Sequence, residues 1–541
     1  MYLRYKQKLI IGVTLLIVAV LIISSTFVYF EYYAEKSADD DERETGEPLY
    51  DYEAISPYVN QAVIIEIERI RHRGIIDAMM SSGRSWKSPP QFYFITNMDD
   101  QEYISKDVAA AGGASNEELF NTWDSMFIEN KIVRDAEEEQ EKSTINLKIM
   151  ERKTSGLLGR RHTDQEELSI DLTYDYKTGR WEGDDHMNDS DGYGHVLGDT
   201  FEVWFNVYQT DYDGDGIPYW TEVNVLGTDP KIDDTHNDHD GDGCPTVWEW
   251  KWGYNHTSYD NHSTLDPDQD GLENVEEYIM QKYFANPYHQ EIYIEVDGME
   301  KGKLLDWDHV FWMESQQIMI ERFAEHSISI FINDGWPGGP TNGGGELLPY
   351  YDTISQDSGM MLQFYEHHFA DEHKGIYRYI VIGNNAGFCH PAKYNRYDSM
   401  AVGTSINKLV TKRGAFTPRT QRLALAAGVM HELGHSLGIG PWNLGGNDNI
   451  SFITSRDAKA EYLEEWGNYK SVMNYYYIWD KTIVDYSDGS NGLGDVSDWE
   501  MFNLTYFQND AKVVEDPGFE LPGFEEIGFV KYMYYNGRFD S

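Results

Sequence analysis

Two residue patterns in this chain could do chemistry. The first is Val429-Met430-His431-Glu432-Leu433-Gly434-His435-Ser436-Leu437-Gly438, which spells H-E-x-x-H-x-x-G. On a helix, His431 and His435 fall one turn apart on the same face, so both imidazoles can reach one metal ion. Glu432 then sits beside that ion, where a carboxylate can take a proton from a water molecule. The second pattern is D-x-D-x-D-G with an acid at the twelfth position, written three times at spacings of 27 and 28 residues. Its members are Asp211, Asp213, Asp215 and Glu222, then Asp238, Asp240, Asp242 and Glu249, then Asp266, Asp268, Asp270 and Glu277. Alternating carboxylates wrap a hard cation, glycine permits the sharp turn, and the terminal glutamate closes the shell, so calcium is the expected ligand. One such loop can be an accidental acidic turn, but three at near-constant spacing are a repeat.

The helix carrying the histidines opens at Thr417-Pro418, an N-cap followed by proline in the first turn, and Leu423, Leu425, Val429 and Leu433 can bury one side of it. Downstream comes Ser471-Val472-Met473-Asn474-Tyr475. Together, H-E-x-x-H-x-x-G and this later methionine resemble the metzincin zinc peptidases, whose motif continues to a third ligand and whose methionine turn lies under the metal. The resemblance covers about 290 to 510. It implies zinc on His431 and His435, Glu432 as catalytic base, Gly438 as a structural residue of the motif, Met473 as the floor of the site, and Tyr475 near the metal or the developing oxyanion. The chain departs from the family six residues after His435, where Pro441 offers no ligand atom. Asp448 is the first replacement to consider. Glu461, Glu464, Glu465, Tyr475, a more distant residue, or no third ligand at all remain alternatives. The competing reading makes both histidines ordinary helix residues paired with local acids.

The calcium loops resemble the extracellular repeats of thrombospondin-type or dockerin-type modules, because Pro218 and Pro245 occupy the eighth position where a sensor hand carries an apolar residue. This implies a calcium-stiffened connector.

Other stretches must position these patterns. Strand-like segments at 63–67, 91–95, 145–149, 168–172 and 201–205 point to a β-sandwich. Asp184, Asp185, Asp189 and Asp191 share one of its loops, faintly similar to calcium- and lipid-binding sandwich modules, although an acidic spacer fits equally. After Glu291, strands and helices alternate, as in a mixed sheet backed by helices. The glycine-rich loop from Gly335 to Gly345 lacks the ending of a phosphate loop.

Forty-three basic against 93 acidic residues give a net charge of −50, which repels nucleic acid and suits cation binding. Two cysteines, Cys244 and Cys389, exclude a disulfide-dense scaffold. An apolar run from Leu9 to Phe30 follows Arg4, Lys6 and Lys8 and precedes acidic residues, so a single-pass anchor is expected with the bulk of the chain extracellular. A cleaved signal peptide at Ser24-Ser25 is the competitor. Five N-x-S/T sequons, at Asn188, Asn255, Asn261, Asn449 and Asn503, are glycosylation candidates in that setting.

The expected fold is therefore multidomain. It comprises a cytoplasmic tip and transmembrane helix at 1–30, an acidic stalk at 31–58, a β-sandwich at 59–209, calcium-loop repeats at 210–287, an α+β metzincin-like peptidase domain with a mixed sheet at 288–510, and an extension at 511–541. The expected activity is membrane-anchored, zinc-dependent hydrolysis of peptide bonds in a protein or peptide substrate. The alternative is a catalytically impaired, calcium-stabilised surface binding or scaffold protein.

Overall fold

A computed structural model describes residues 51–507, apart from 82–84, 106–118, 138, 156–160, 186–192, 303–305, 308, 336–344, 357–358, 371–372, 391–398, 479 and 481. The Leu9–Phe30 run, residues 31–50 of the expected stalk, the extension 511–541, Asn188, Asp189, Asp191 and most of the glycine-rich loop fall outside the described residues.

Ten strands come first: β1 (Ala62–His72), β2 (Gln91–Met98), β3 (Gln101–Ile104), β4 (Phe120–Asn121), β5 (Asp124–Asp135), β6 (Lys142–Ser155), β7 (Arg161–Asp175), β8 (Arg180–Gly183), β9 (Gly194–Leu197) and β10 (Phe201–Gln209). They form two antiparallel sheets, ordered β5-β1-β10-β9 and β3-β2-β6-β7-β8, with β4 beside β2. Val63, Ile65 and Ile67 of one sheet meet Phe92, Phe94, Leu147 and Ile149 of the other in a shared core. The inward residues alternate as strand pleating requires.

The second half holds β11 (Glu291–Met299), β12 (Ser329–Asn333), β13 (Leu347–Leu348), β14 (Arg378–Gly383), β15 (Gly387–His390) and β16 (Ser399–Gly403). Their order is β12-β11-β14-β16-β15, parallel except for β15, which runs antiparallel to β16 at the edge. β11 is buried along its whole length, as a strand covered on both faces must be. Ile292, Ile294, Val296, Ile380 and Ile382 pack against Met313–Ala324 and Pro418–Ser436, the helices on one face. Tyr293, Phe331, Tyr379 and Val381 face the other way, onto Trp248, Trp252, Leu272 and Phe284 of the acidic-loop segment.

The expected fold class is therefore corrected. The described chain is mostly β-sheet with few helices, and no helix among the described residues is long and apolar enough to cross a membrane. Among the described residues, the chain from Ala54 onward clusters as one compact unit. The physical cause lies in β1, where a bulge between Ile67 and Arg69 breaks the alternation. Arg69 and Arg71 are completely buried in consequence. Arg69 binds Asp124 through Nε at 3.1 Å and Nη2 at 2.6 Å, and Gln317 Nε2 donates to the same carboxylate at 2.8 Å. Arg71 bridges Glu202 and Glu321, so strands of the first half are ion-paired to the helix Met313–Ala324. Ile75, Met79, Trp86 and Trp123 join the same apolar core as that helix.

Candidate metal centre

The helix Pro418–Ser436 starts on a capping box in which Thr417 accepts from the Thr420 backbone N–H, with proline in the first turn. From Leu423 to Ser436 every residue is buried, because the sheet covers one side and the segment around Met473 the other. His431 and His435 emerge near its end with ring centroids 4.9 Å apart. His431 Nδ1–H donates to the Val472 carbonyl at 2.8 Å, and His435 Nδ1–H donates to the Ile439 carbonyl at 2.7 Å. Carbonyls only accept, so these bonds fix the proton on Nδ1 and leave the Nε2 lone pair of each neutral ring facing outward.

The chain turns back because Gly438 takes a φ of +93°, a region costly to other residues. This lets the Ile439 N–H reach the Gly434 carbonyl at 3.0 Å and brings the Ile439 carbonyl under His435. Pro441 is exposed and contributes nothing to the site. The loop returns at Asn447 and Asp448. Asn447 Nδ2 donates to the Met473 carbonyl at 3.3 Å, and Asp448 takes a left-handed φ of +51°. Asp448 Oδ1 lies 3.0 Å from His431 Nε2, and Oδ2 lies 3.4 Å from His435 Nε2. One ligand atom from each of the three residues falls within 4.8 Å of the others. Glu461, Glu464 and Glu465 are exposed on the helix Arg456–Trp466 and do not join them.

Zinc fits this donor set. A tetrahedral ion with bonds of about 2.0–2.1 Å separates neighbouring ligand atoms by roughly 3.3 Å, close to both observed distances. His431 Nε2 and Asp448 Oδ1 are buried and approach to 3.0 Å without hydrogen-bond geometry, so a cation between them satisfies both.

Glu432 is buried, and burial raises its carboxyl pKa against the opposing pull of His431 and His435. Two cations lie nearby with no motif to announce them. Burial pushes Lys408 down to about 8, Arg413 adding to the effect, while Glu432 opposes it. The wholly buried Arg413 is pushed down to about 10 by desolvation, with Glu432 and Tyr475 countering. The Tyr475 ring stacks on His431 at 5.1 Å. Its phenol is kept protonated by burial and by the carboxylates of Asp448 and Glu432. Met473 fills the space below: a Cβ on Gly434 would lie 2.4 Å from its Sδ. Its N–H bonds Ser471 Oγ at 2.9 Å, and Ser471 is anchored to Asp498, which also accepts from Tyr469 at 2.6 Å and from the Ser487 N–H at 2.8 Å. The acidic loop at 485–498 is thus a brace for the Met473 turn, with Asp495 bonded to Ser487 and Asn491 and Asp485 paired to Arg322.

The three acidic loops also gather their carboxylates. Asp211, Asp213 and Glu222 cluster, as do Asp268, Asp270 and Glu277, while Asp242 and Glu249 meet His262. Asp238 and Asp266 cap their own loops, each accepting from backbone N–H groups of the glycine turn. Both oxygens of Asp213, Asp240, Glu249 and Glu277 are buried with no hydrogen-bond partner. Burial and neighbouring acids push Asp213 to about 6, Asp215 to about 7, and Glu222 and Asp268 to about 9. Unpartnered carboxylate oxygens at this density fit a hard cation. Cys244 and Cys389 are both free and buried.

No family model matches the chain, and no curated protein matches it either. Among solved structures, one described as "CC2D1B coordinates ESRCT-III activity during the mitotic reformation of the nuclear envelope" aligns at 8% identity, covering 29% of this chain and 60% of that one, with a TM-score of 0.15. A likeness at that score carries no argument about this protein.

Proposed function

We propose that this chain is a zinc-dependent endopeptidase of metzincin type whose accessory loops bind calcium. The observation that carries this reading is the convergence of His431, His435 and Asp448 on one point beside the buried Glu432. A bound zinc ion would supply Lewis acidity, lowering the pKa of water and polarising a carbonyl. Glu432 is the general base: it takes a proton from the attacking water as the new C–O bond forms, and returns it to the amide nitrogen as the C–N bond breaks. Lys408 and Arg413 favour its ionised form. Tyr475, protonated and stacked on His431, donates a hydrogen bond to the carbonyl oxygen as charge builds there.

Among the described residues β15 pairs with β16 alone, so its other edge can take an extended peptide strand. A Cβ on Gly387 of β15 would lie 3.8 Å from Glu432 Oε1, so a peptide added there runs past the base. Loops similar to extracellular calcium modules, which bind at about 10⁻⁴–10⁻³ M, suit a protein working outside the cytosol. The test is cleavage of a peptide library by the purified chain. Zinc-dependent cleavage lost in Glu432→Gln supports the reading. Cleavage that survives this substitution, or is absent from the zinc-loaded wild type, contradicts it.

A further inference from the structure

The third acidic loop does not close on itself. Glu291, the first residue of β11, enters the cluster of Asp268, Asp270 and Glu277, although it belongs to the central sheet and to no loop motif. Glu291 and Glu277 are both fully buried. Glu291 Oε1, both Glu277 oxygens and Asp268 Oδ2 have no hydrogen-bond partner. Several carboxylate oxygens thus converge without backbone or amide donors, an arrangement that a cation satisfies.

An internal repeat points the same way. In each loop the fifth-position aspartate accepts from the backbone N–H of an acidic residue further along. Asp215 Oδ2 holds Asp234 at 3.2 Å, Asp242 Oδ2 holds Asp260 at 3.0 Å, and Asp270 Oδ2 holds Glu291 at 2.8 Å. In the first loop the residue so held, Asp234, also brings its carboxylate to Asp215 and Glu222. Glu291 occupies the equivalent place in the third loop, and there the next segment is the sheet itself.

We propose that Glu291 is a calcium ligand, so that the third loop completes a four-carboxylate site shared with β11. The inference rests on the calcium reading of the loops and adds a ligand and a structural consequence. β11 pairs with β12 and β14, and its Ile292, Ile294 and Val296 support the helix that carries His431 and His435. Calcium at this site therefore tightens the floor on which the metal helix rests.

The test is calorimetric titration of the full chain with calcium, comparing wild type, Glu291→Gln and Glu277→Gln. Both variants are expected to lose one site, or to weaken it at least tenfold, and to show a smaller calcium-induced rise in Tm. If Glu277→Gln loses the site while Glu291→Gln keeps wild-type stoichiometry and affinity, Glu291 is no ligand and the loop reading survives. If the wild type binds no calcium, both fall. Hydrogen exchange on the wild type serves should Glu291→Gln not fold: amide protection of Ile292–Val296 should rise at least tenfold with calcium, and unchanged protection overturns the proposal.

Discussion

Replacing Asp448 tests the metal centre at its least conventional point. Asparagine is the informative substitution, because it tolerates the left-handed φ of +51° that this position requires while removing the carboxylate charge. The loop should keep its course, since Asn447 holds the Met473 carbonyl independently. Asp448 supplies both oxygens that face the histidine Nε2 atoms, at 3.0 and 3.4 Å. A complete tetrahedral zinc site is worth roughly 10–16 kcal/mol, so one donor in four carries on the order of 3–4 kcal/mol, or about 100- to 1000-fold in affinity. Competition against a chromophoric chelator at fixed pH reads this directly. Glu464→Gln is the control, because that side chain is exposed and outside the cluster. Zinc affinity of Asp448→Asn within threefold of wild type, or an equal loss in the control, refutes the assignment of Asp448 as the third ligand.

Other outcomes follow from the same geometry. Gly434→Ala forces a methyl onto Met473 Sδ, 2.4 Å away, and should destabilise by about 1–3 kcal/mol through overpacking, seen as a lower Tm together with weaker zinc binding. Arg71→Ala leaves Glu202 and Glu321 buried without their shared cation, which should cost about 3–5 kcal/mol. Chemical denaturation of the wild type should show one transition linking both halves, and two independent transitions would contradict the single compact unit. In the calcium-free protein Glu222 and Asp268 sit at about 9 and Asp215 and Asp270 at about 7, all above their unfolded values. Their contribution to stability is therefore full below about pH 4 and is lost as pH rises towards 9. Calcium binding at pH 7 should expel about three to five protons per chain, measured by calorimetry in buffers of different ionisation enthalpy. Binding without proton release would show that these carboxyls are already ionised.

Much of this arrangement is legible in the residues. The D-x-D-x-D-G loops announce themselves, Thr417-Pro418 marks the start of the metal helix, and the β-branched segments at 63–67, 91–95 and 201–205 lie in β1, β2 and β10. Arg69 and Arg71 share the parity of the core-facing Val63, Ile65 and Ile67, so a regular strand would place them in the sandwich core; the bulge after Ile67 gives that place to Ile70 and turns both arginines to the opposite face, where they are buried. There Arg71 ties the first-half strands to the helix Met313–Ala324 through Glu202 and Glu321. Asp448 is readable as the first candidate third ligand but not as the certain one among Glu461, Glu464, Glu465 and Tyr475, since its return depends on the turns at Gly438 and Asn447. Lys408, Arg413 and Glu291 carry no motif, because burial and not spacing is what gives them their roles.

The central claim is that His431, His435 and Asp448 hold one zinc ion with a position left for water. X-ray absorption at the zinc edge of the purified, zinc-loaded chain measures this most directly. The account predicts one zinc per chain with two imidazole nitrogens and two oxygens at about 2.0–2.1 Å, no sulfur, and loss of one oxygen's scattering in Asp448→Asn. A chain that retains no stoichiometric zinc, or a shell unchanged by that substitution, would contradict it.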